Sequence, residues 1–414
     1  MLFFYRLTIN FILLISPIII IYRIFKKKED PKRFLEKIGK FKKNTNSNLI
    51  WFHGSSVGEI LSIVPLIEKF EKKKNIKKIL ITSNTLSSAK IITKLKLKKT
   101  FHQFFPLDAD FLVEKFLNHW KPKAVFFVES EIWPNMIKKI KEKNIPLILL
   151  NARITKKSFK KWNNIISFSK KIFGEFDLCL SQNNETCDYL KILGAKNVKK
   201  IGNLKFAQSS SDLKSKSNLN IKKKFGKKKI ILSAVSTHKG EELFCGKVHS
   251  KLKKKYKNII SIIIPRHIHR ANEIKQELNL NNLKVHLHTS NKPIKFDTDI
   301  YLVDTFGETK SFLKLSKITF MGKSIFSHGG QNPLEAARLG NRIIHGPKVE
   351  NFIEVYDFLY KQGVSTKIYS NKDLEKLVVK FLRKKNYSQQ IIKKLSYTGN
   401  LILIKNEKEI SKYC

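Results

Sequence analysis

Cysteine and acidic residues are both scarce in this chain. It has 4 cysteines among 414 residues, and none of them forms a C-x-x-C pair or a spacing typical of metal ligands. This argues against a disulfide framework or a cysteine metal site, and it predicts reduced thiols in domains that face the cytoplasm. A hydrophobic content of 42% with 11% aromatic residues excludes a disordered chain and indicates a globular one, long enough for two domains with full cores.

The charge balance is strongly positive, with 82 lysines and arginines against 33 acidic residues and a formal net charge of +49. Such a charge attracts nucleic acid, an anionic membrane or an acidic substrate. The lysine runs are scattered along the chain, however, which favours a lysine-rich coding bias for most of them. Aromatic-interleaved nucleic-acid motifs are lacking, so no nucleic-acid partner is expected. A basic membrane-associated nucleic-acid-binding protein is nevertheless the alternative from a different functional class.

The chain begins with a long apolar segment, Leu2–Phe25. About 20 apolar residues span a bilayer core, although Arg6 and Pro17 weaken this segment. The small-residue cleavage site of a removed signal peptide is lacking, and three lysines at 26–28 predict that the rest of the chain stays on the cytoplasmic side. We therefore expect residues 1–25 to form a membrane-anchor helix bound to inner-membrane lipid, which either spans the bilayer or lies at its surface.

Buried strands alternate with helices along the rest of the chain. The predicted strands are 49–53, 79–82, 104–107, 124–128, 145–150, 178–181, 199–201, 230–234, 259–264, 284–288, 300–303, 318–321 and 342–345. This alternation predicts an α/β protein with two doubly wound, Rossmann-like parallel sheets whose ligands bind at the carboxyl ends of the strands. The predicted domain boundaries are 31–208 for the first domain, 209–229 for a polar linker, 230–390 for the second domain and 391–414 for a helical tail.

The stretch 321–347 combines a strand end, a glycine-rich loop and a short helix. Its punctuating residues are Gly329 and Gly330 in the loop, Asn332 as helix N-cap, Pro333 at the first helical position, Glu335 in a capping box and Gly340 at the helix end. Free backbone N–H groups and a helix dipole at one point suit a phosphate, so the stretch predicts an anion or nucleotide site. A well-capped helix without a ligand is the simpler alternative.

Seven motifs occur in one order along the chain. They are His53-Gly54-Ser55-Ser56-Val57-Gly58-Glu59, Glu129-Ser130-Glu131-Ile132-Trp133-Pro134-Asn135, Asn151-Ala152-Arg153, Gly202-Asn203-Leu204-Lys205-Phe206, Pro265-Arg266-His267, Asp304-Thr305-Phe306-Gly307-Glu308 and Gly329-Gly330-Gln331-Asn332-Pro333-Leu334-Glu335. The set resembles the Kdo transferases, GT-B glycosyltransferases that move 3-deoxy-D-manno-octulosonic acid (Kdo) from CMP-Kdo onto a lipid A precursor. The resemblance extends from the anchor to about residue 350.

The resemblance implies an inverting transferase of lipopolysaccharide core biosynthesis at the cytoplasmic face of the inner membrane. It implies two domains that face a cleft, CMP-Kdo as donor, the lipid A precursor lipid IVA as acceptor, and no metal and no cofactor. A GT-B enzyme that uses another nucleotide sugar is the first alternative. The sequence departs from the family pattern at Gln331, at Ile268 and His269, and at Ala207, which concerns the details of nucleotide contact.

Three residues are the predicted catalytic groups. Glu59 is the expected general base, since a sugar hydroxyl is a poor nucleophile until a carboxylate withdraws its proton. Ser56-x-x-Glu59 is also a capping box, and only the resemblance favours catalysis over that structural role. The resemblance also implies that Glu129 and Lys205 stabilise the transition state. Glu131 is expected to accept from backbone N–H groups in the turn, and to share a face with Glu129 if the strand continues.

The nucleotide-binding residues are expected in the second half. They are Pro265, Arg266 and His267, then Phe306, Gly307 and Glu308, and finally Asn332, Pro333, Leu334 and Glu335. A guanidinium at a strand end grips a phosphate well, and Phe306 to Glu308 are expected to line the cytidine. Two D-x-D spacings, Asp108 with Asp110 and Asp297 with Asp299, match those of metal-dependent transferases. We interpret the first as the cap of the helix that ends near Trp120 and the second as a turn before a strand, so no metal ligands are predicted.

Overall fold

The computed structural model describes residues 1–26, 29–41, 48–95, 97–208, 219–226, 229–383 and 388–414. The chain divides into two compact units, of which unit 1 is Met1–Lys214 with Thr398–Cys414 and unit 2 is Ser215–Tyr397. Of the predicted linker 209–229, residues 209–218 and 227–228 lie outside the described residues, as do two of the lysines at 26–28. A short helix, Leu219–Lys224, occupies part of the linker's described portion.

Unit 1 contains one seven-stranded parallel sheet. Its strands are β1 (Leu49–His53), β2 (Lys78–Ser83), β3 (Thr100–Phe104), β4 (Ala124–Val128), β5 (Leu147–Ala152), β6 (Leu178–Ser181) and β7 (Val198–Lys200), in the spatial order β3-β2-β1-β4-β5-β6-β7. The prediction of a strand at 104–107 was wrong, because the chain leaves the sheet after Phe104. Pro106 lacks the N–H group that a ladder needs. β1, β4 and β5 are fully buried, as expected for a sheet covered by helices on both faces.

Helices connect and cover the strands of unit 1. They are α1 (Leu2–Phe25), α2 (Val57–Glu71), α3 (Leu86–Lys94), α4 (Asp110–Trp120), α5 (Pro134–Glu142), α6 (Lys156–Asn163), α7 (Ile166–Phe173) and α8 (Asn184–Ile192), with a 3-10 helix at Phe34–Ile38. The core beneath them is rich in aromatic residues, with Trp51, Phe116, Trp120 and Phe127 almost inaccessible to solvent. Within the described chain α1 is the one helix long and apolar enough, by length and composition, to cross a membrane.

Unit 2 repeats the architecture. Its strands are β8 (Lys229–Thr237), β9 (Ile259–Pro265), β10 (Val285–Leu287), β11 (Ile300–Leu302), β12 (Ile318–Met321), β13 (Arg342–His345) and β14 (Ser365–Lys367), in the order β10-β11-β9-β8-β12-β13-β14 and all parallel. The sequence pattern did not predict β14, whose three residues are Ser-Thr-Lys at the sheet edge. Two doubly wound parallel sheets confirm the predicted fold class.

The helices of unit 2 follow the same scheme. They are α9 (Leu219–Lys224), α10 (Glu241–Lys253), α11 (Ala271–Leu280), α12 (Thr309–Leu315), α13 (Leu334–Arg338), α14 (Ile353–Lys361) and α15 (Asn371–Arg383). The final helix, α16 (Ser388–Ile410), begins in unit 2 and ends in unit 1. Its last turns are held in unit 1 by ion pairs, including Lys199 Nζ with Glu409 Oε2 at 2.9 Å. Gly399 passes so close to the carbonyl of Phe206 that a Cβ there would lie 2.2 Å from the oxygen.

Candidate active site

The polar residues of unit 1 converge because β1, β4 and β5 are neighbours in the sheet. Their carboxyl ends are His53, Val128 and Ala152, so the loops that begin after them lie side by side. Glu59 follows the first of these strands, Glu129 follows the second, and Asn151 lies at the end of the third. In open parallel sheets this edge is where ligands bind. The sheet order therefore brings the predicted catalytic motifs of unit 1 into one site.

Glu59 lies in the first turn of α2 and serves the helix cap. Its Oε2 accepts from the backbone N–H of Ser55 at 2.7 Å, and its Oε1 accepts from the hydroxyl of Ser56 at 2.7 Å. Ser56 is the N-cap, and its Oγ accepts from the N–H of Glu59. Burial, followed by the negative charge of Glu131 and then that of Glu129, raises the pKa of Glu59 to about 7. The capping contacts therefore coexist with a carboxylate that titrates near neutrality.

Glu131 is held by three side-chain donors. Its Oε2 lies 3.0 Å from His53 Nε2, 2.8 Å from Ser55 Oγ and 2.8 Å from Trp133 Nε1. The prediction that it satisfies backbone N–H groups in the turn was therefore wrong. Burial alone raises a carboxyl pKa, but the hydrogen bonds and His53 outweigh it and lower the pKa of Glu131 below its ordinary value. Two neighbouring carboxyls with pKa values moved in opposite directions are typical of a site that assigns them different roles.

Glu129 has an unusual backbone conformation. It follows the last residue of β4 with φ of +59°, in the left-handed region that non-glycine residues seldom occupy. The strand thus ends before Glu129, so the strand geometry that would place Glu129 and Glu131 on one face does not apply. The side chain forms an ion pair with Lys205, with Glu129 Oε1 2.5 Å from Lys205 Nζ. The side chains of Lys205 and Glu129 are only 18% and 10% exposed, so water screens this pair weakly.

Asn151 and Asn203 fix the loop that carries Lys205. The side-chain oxygen of Asn151 accepts from the N–H of Leu204 at 2.8 Å, and that of Asn203 accepts from the N–H of Lys205 at 2.9 Å. Asn151 is itself buried and left-handed, with φ of +49°. These contacts give the Asn151 and Asn203 motifs a physical role, since they hold the lysine against Glu129.

In unit 2, Arg266 and His267 follow the end of β9 as predicted. Both side chains are exposed, and no carboxylate in the described part of the chain forms an ion pair with Arg266. The ring of His267 lies 5.4 Å from that of His238, which follows the adjacent strand β8. Burial, followed by the positive potential of His238, His269, Arg266 and Arg270, lowers the pKa of His267. Such a positive strand edge attracts an anion.

The second predicted segment, Phe306 to Glu308, follows β11. Phe306 is 74% exposed, and Gly307 has φ of +90° with open space where a Cβ would lie. Glu308 Oε2 is 2.8 Å from His288 Nε2, and Thr305 donates to the same carboxylate. The segment therefore presents an exposed aromatic ring and a fixed carboxylate at the same sheet edge as Arg266. Arg266 follows β9, and this segment follows β11, two strands later in the chain.

The glycine loop of 321–347 differs from the prediction. The N–H of Gly329 donates to Glu350 Oε2 at 2.7 Å, and the N–H of Gly330 donates to the carbonyl of Lys323 at 3.0 Å. These two N–H groups are therefore used within the protein, and the anion or nucleotide site expected in this stretch stays a prediction. The two glycines are required by conformation, with φ of +105° and +69°, and a Cβ on Gly330 would lie 2.9 Å from the Cα of Val349.

The predicted helix after this loop is present but short. It spans Leu334–Arg338, one residue later than predicted, so that Pro333 is the N-cap. Asn332 still caps it, because its side-chain oxygen accepts from the N–H of Leu334 at 3.0 Å. Asn332 and Glu335 are exposed, whereas Pro333 and Leu334 are buried. Gly340 ends the helix with φ of +79°, as predicted.

Sequence reasoning missed Glu241, the first residue of α10. This fully buried carboxylate accepts from four backbone N–H groups, those of Lys323, Ser324, Ile325 and His238, at 2.7 to 3.1 Å. It thereby joins the loop after β12 to the loop after β8. The available signal was the segment His238 to Glu242 directly after a buried strand, with two adjacent glutamates at the start of a helix. We infer that Glu241 positions both loops of the unit 2 site.

Replacing Glu241 with alanine should destabilise unit 2. The change leaves buried N–H groups without an acceptor at about 1–3 kcal/mol each, so we expect a loss of about 3 kcal/mol or more. For a unit of this size that lowers the Tm by roughly 6–12 °C, measured by scanning calorimetry. The matched control is Glu273→Ala, an exposed glutamate of the same unit, which should change the stability by less than about 0.5 kcal/mol. Equal Tm values for the two variants would contradict this role.

The carboxylates of the two D-x-D spacings have structural partners. Asp108 accepts from the backbone N–H groups of Asn135 and Met136 at 3.0 and 2.8 Å, so it caps α5, and the prediction that it caps α4 was wrong. Asp299 precedes β11, accepts from the N–H of Lys284 and pairs with Lys253, as expected for a turn before a strand. Within the described residues, no three histidine, cysteine, aspartate or glutamate side chains are grouped so as to hold a metal ion.

Comparisons with known proteins identify the family. A family model described as 3-deoxy-D-manno-octulosonic-acid transferase matches residues 32–208. The 3-deoxy-D-manno-octulosonic acid transferase of Rickettsia bellii is 32% identical over 408 residues, covering 98% of this chain and 96% of the relative. That of Haemophilus influenzae is 28% identical and covers 86% of this chain and 83% of the relative. Both relatives span the two units.

A solved structure supports the fold independently. The crystal structure of UDP-GlcNAc 2-epimerase from Neisseria meningitidis bound to UDP-GlcNAc superimposes with a TM-score of 0.59, covering 88% of this chain and 100% of that chain. Its identity of 13% makes this a likeness of fold alone. The match to the Rickettsia relative covers nearly the whole of both chains, and the family model agrees with it. The chain therefore belongs to the 3-deoxy-D-manno-octulosonic acid transferase family and is a glycosyltransferase that transfers Kdo.

Proposed function

We propose that this enzyme transfers Kdo from CMP-Kdo to a lipid A precursor, lipid IVA, with inversion at the anomeric carbon and without a metal ion. The single observation that carries the mechanism is the pair of carboxyls Glu59 and Glu131. Glu59 has a pKa of about 7, so it takes up a proton readily near neutral pH, while Glu131 stays ionised among its three donors.

In the proposed reaction Glu59 removes the proton of the acceptor hydroxyl as its oxygen attacks the anomeric carbon of Kdo. The new carbon–oxygen bond forms on one face of the sugar, and the bond from the anomeric carbon to the phosphate oxygen breaks on the opposite face. CMP leaves with the electron pair of that bond. Glu129 and Lys205, paired at 2.5 Å, supply opposite charges close together. We assign the lysine to the anionic donor and the glutamate to the positive charge that develops at the anomeric carbon.

The donor nucleotide is assigned to unit 2. Arg266 is exposed at the end of β9 and matches a phosphate in charge and shape, with His267 and His238 beside it. Phe306 offers an exposed ring for the cytosine, and Glu308 offers a carboxylate that His288 holds in place. The remaining proposed contacts lie at the end of β9, in the loops after β11 and β12 and in the first turn of α13; they are Pro265, Gly307, Asn332, Pro333, Leu334 and Glu335.

The proposals for the acceptor and for the cellular location are based on the net charge of the chain and on the apolar helix α1. A phosphorylated lipid is anionic, and a chain with a net charge of +49 attracts it. The apolar helix α1 belongs to unit 1, the unit that carries Glu59. We therefore place the enzyme at the cytoplasmic face of the inner membrane, where the acceptor does not need to leave the bilayer completely.

The testing experiment is transfer from enzymatically generated CMP-Kdo to a tetra-acylated lipid A precursor in detergent with EDTA, with the product measured by mass. Product formed in EDTA supports the proposal, whereas activity lost only in EDTA would contradict the metal-free mechanism. A competition panel tests the donor, since CMP should inhibit and UDP or GDP should not. Inhibition by UDP alone would favour another nucleotide sugar. Salt-sensitive binding of unrelated duplexes without CMP binding would favour the nucleic-acid alternative.

The pH profile provides a prediction about the base. Because Glu59 must be ionised to accept a proton and its pKa is about 7, kcat/KM should fall tenfold for each pH unit below about 7 and level off above it. Glu131, whose pKa is lowered, stays ionised and adds no further pH dependence to kcat/KM. The measurement is the initial transfer rate at subsaturating acceptor between pH 5 and 9. In Glu59→Gln the residual rate should not show this fall below about pH 7. A wild-type kcat/KM that stays level down to pH 5 would contradict the assignment.

A further inference from the structure

The helix α1 contacts unit 1 along its whole length on one face. Side chains with reduced exposure recur every three or four residues from its first turn to its last, at positions that include Tyr5, Arg6, Ile9, Leu13, Ser16 and Ile20. Ser16 and Ile20 are buried, at 6% and 8% exposure. Residues with this spacing share one side of an α-helix. The helix therefore lies against the protein rather than projecting from it.

The first turns of α1 are joined to unit 1 by polar contacts. The hydroxyl of Tyr5 donates to Asp108 Oδ2 at 2.7 Å, and Arg6 pairs with Asp110 Oδ1 at 2.6 Å and donates to Asn135 Oδ1 at 3.1 Å. Asp108 is the buried carboxylate that caps α5. Withdrawing Tyr5 would remove a partner from a buried carboxyl, which is costly in a folded protein.

The last turn of α1 is joined to the same unit. Arg23 Nε lies 3.2 Å from Glu29 Oε2, and the same oxygen accepts from Lys37 Nζ at 2.7 Å. Glu29 is buried, and Lys37 also approaches the carbonyl of Asn84 at 3.4 Å, in the loop after β2. Both ends of α1 are thus held on one unit, although a helix of 24 residues is about 36 Å long.

The opposite face of α1 is a continuous apolar surface. Phe4, Leu14, Ile18 and Phe25 are 67 to 82% exposed and extend from the first turn to the last. An exposed apolar surface of this length on a folded protein marks a contact with a membrane or a partner. The net charge of the whole chain, +49, favours an anionic bilayer surface as the occupant.

We propose that α1 does not span the bilayer but lies in the plane of its anionic cytoplasmic surface. The inner face stays on unit 1, and the outer face sits roughly 5–10 Å below the headgroup boundary. A spanning arrangement would require one end of α1 to leave its partners on unit 1, because the two ends would lie on opposite sides of the membrane. The inference rests on the proposed membrane attachment and is independent of the donor and the acceptor.

The first test is the side of the membrane on which Met1 lies. The full chain with a short epitope tag before Met1 is expressed in a bacterial host, and inside-out inner-membrane vesicles are treated with protease. The proposal expects cleavage of the tag without detergent, since both ends of an in-plane helix lie on the side of the catalytic units. Protection of the tag until detergent is added would overturn it. Failure of the enzyme to sediment with the vesicles would overturn it too, while Kdo transfer in detergent reports separately on the proposed function.

The second test measures depth along α1. Single spin labels replace Phe4, Leu14 and Phe25 in a variant whose partly exposed Cys187 and Cys414 are serine, bound to vesicles of phosphatidylethanolamine and phosphatidylglycerol. Oxygen and nickel-chelate accessibility should give similar depths at the three positions. A spanning helix would place Leu14 about 15 Å deeper than Phe4, at 1.5 Å per residue, and that result would overturn the proposal.

A neighbouring pair supplies the matched control for orientation. Ile20 is 8% exposed and Ile21 is 54% exposed, so they differ in the face of α1 and hardly in sequence position or chemistry. A label at Ile21 should collide with oxygen dissolved in the lipid several times more often than a label at Ile20. Equal collision rates would indicate a helix surrounded by lipid, which contradicts docking on unit 1.

Discussion

Replacing Glu59 with glutamine should lower the rate constant of Kdo transfer by a factor on the order of 10²–10⁴, the usual contribution of a general base. The side chain that replaces it still offers an oxygen to the N–H of Ser55 and the hydroxyl of Ser56, so the first turn of α2 should persist. The measurement is kcat with saturating CMP-Kdo and acceptor, together with CMP affinity by calorimetry, which should be unchanged because CMP is assigned to unit 2.

The control for Glu59 separates catalysis from helix capping. Ser56→Ala removes the N-cap acceptor of α2 while leaving the carboxylate, and it should cost about 0.5–2 kcal/mol of stability. We expect its kcat to fall by less than about tenfold. If Ser56→Ala lost as much activity as Glu59→Gln, the glutamate would act through the helix cap. Retention of more than a tenth of the activity in Glu59→Gln would remove it as the base.

The second large effect concerns the ion pair of Glu129 and Lys205. Replacing either side chain, as Glu129→Gln or Lys205→Met, should lower kcat by a factor on the order of 10²–10³, the cost of removing one preorganised charged group from a transition state. Because the two groups act as a unit, the double variant should be little worse than either single variant. The measurement is a double-variant cycle on kcat in the detergent assay.

The surface pair of Lys199 and Glu409 is a matched control for that cycle. It joins a lysine and a glutamate of unit 1 at 2.9 Å, but its lysine is 43% exposed, so it contributes little to stability. Lys199→Met should change kcat by less than about twofold. If the fold losses in kcat of the two single variants multiplied in the double variant, Glu129 and Lys205 would act independently. That result would contradict their role as a pair.

The sequence predicted much of the fold because the relevant signals are local. Buried strands such as β1 and β4 are short apolar runs, and the strand-to-helix alternation requires parallel sheets. Ser56 and Glu59 lie within a single helical turn, so their cap was visible as well. Strand β14 was missed because three polar residues at a sheet edge carry no hydrophobic pattern, and β3 was placed too late because Phe105 and Leu107 continue the apolar run beyond the sheet.

The residues of the candidate site were proposed from the sequence motifs and the family resemblance, but their contacts could not be. The motifs that contain Glu59, Glu129 and Lys205 were identified in the sequence. The ion pair between Glu129 and Lys205 could not be, because it depends on the left-handed backbone at Glu129 and on the loop that Asn151 holds. Glu241 was missed altogether. Its four N–H partners come mostly from a loop far along the chain, and a buried glutamate at a helix start looks like an ordinary first-turn residue.

By itself, then, the sequence determined the parallel α/β class, the order of the motifs and an apolar first helix. The tertiary structure decided which groups share one edge of a sheet, which N–H groups of the glycine loop are already used, and which face of α1 is covered. The physical reason is that these properties depend on which strand ends lie side by side. Strand order is set by packing between distant segments, and no local spacing of residues records it.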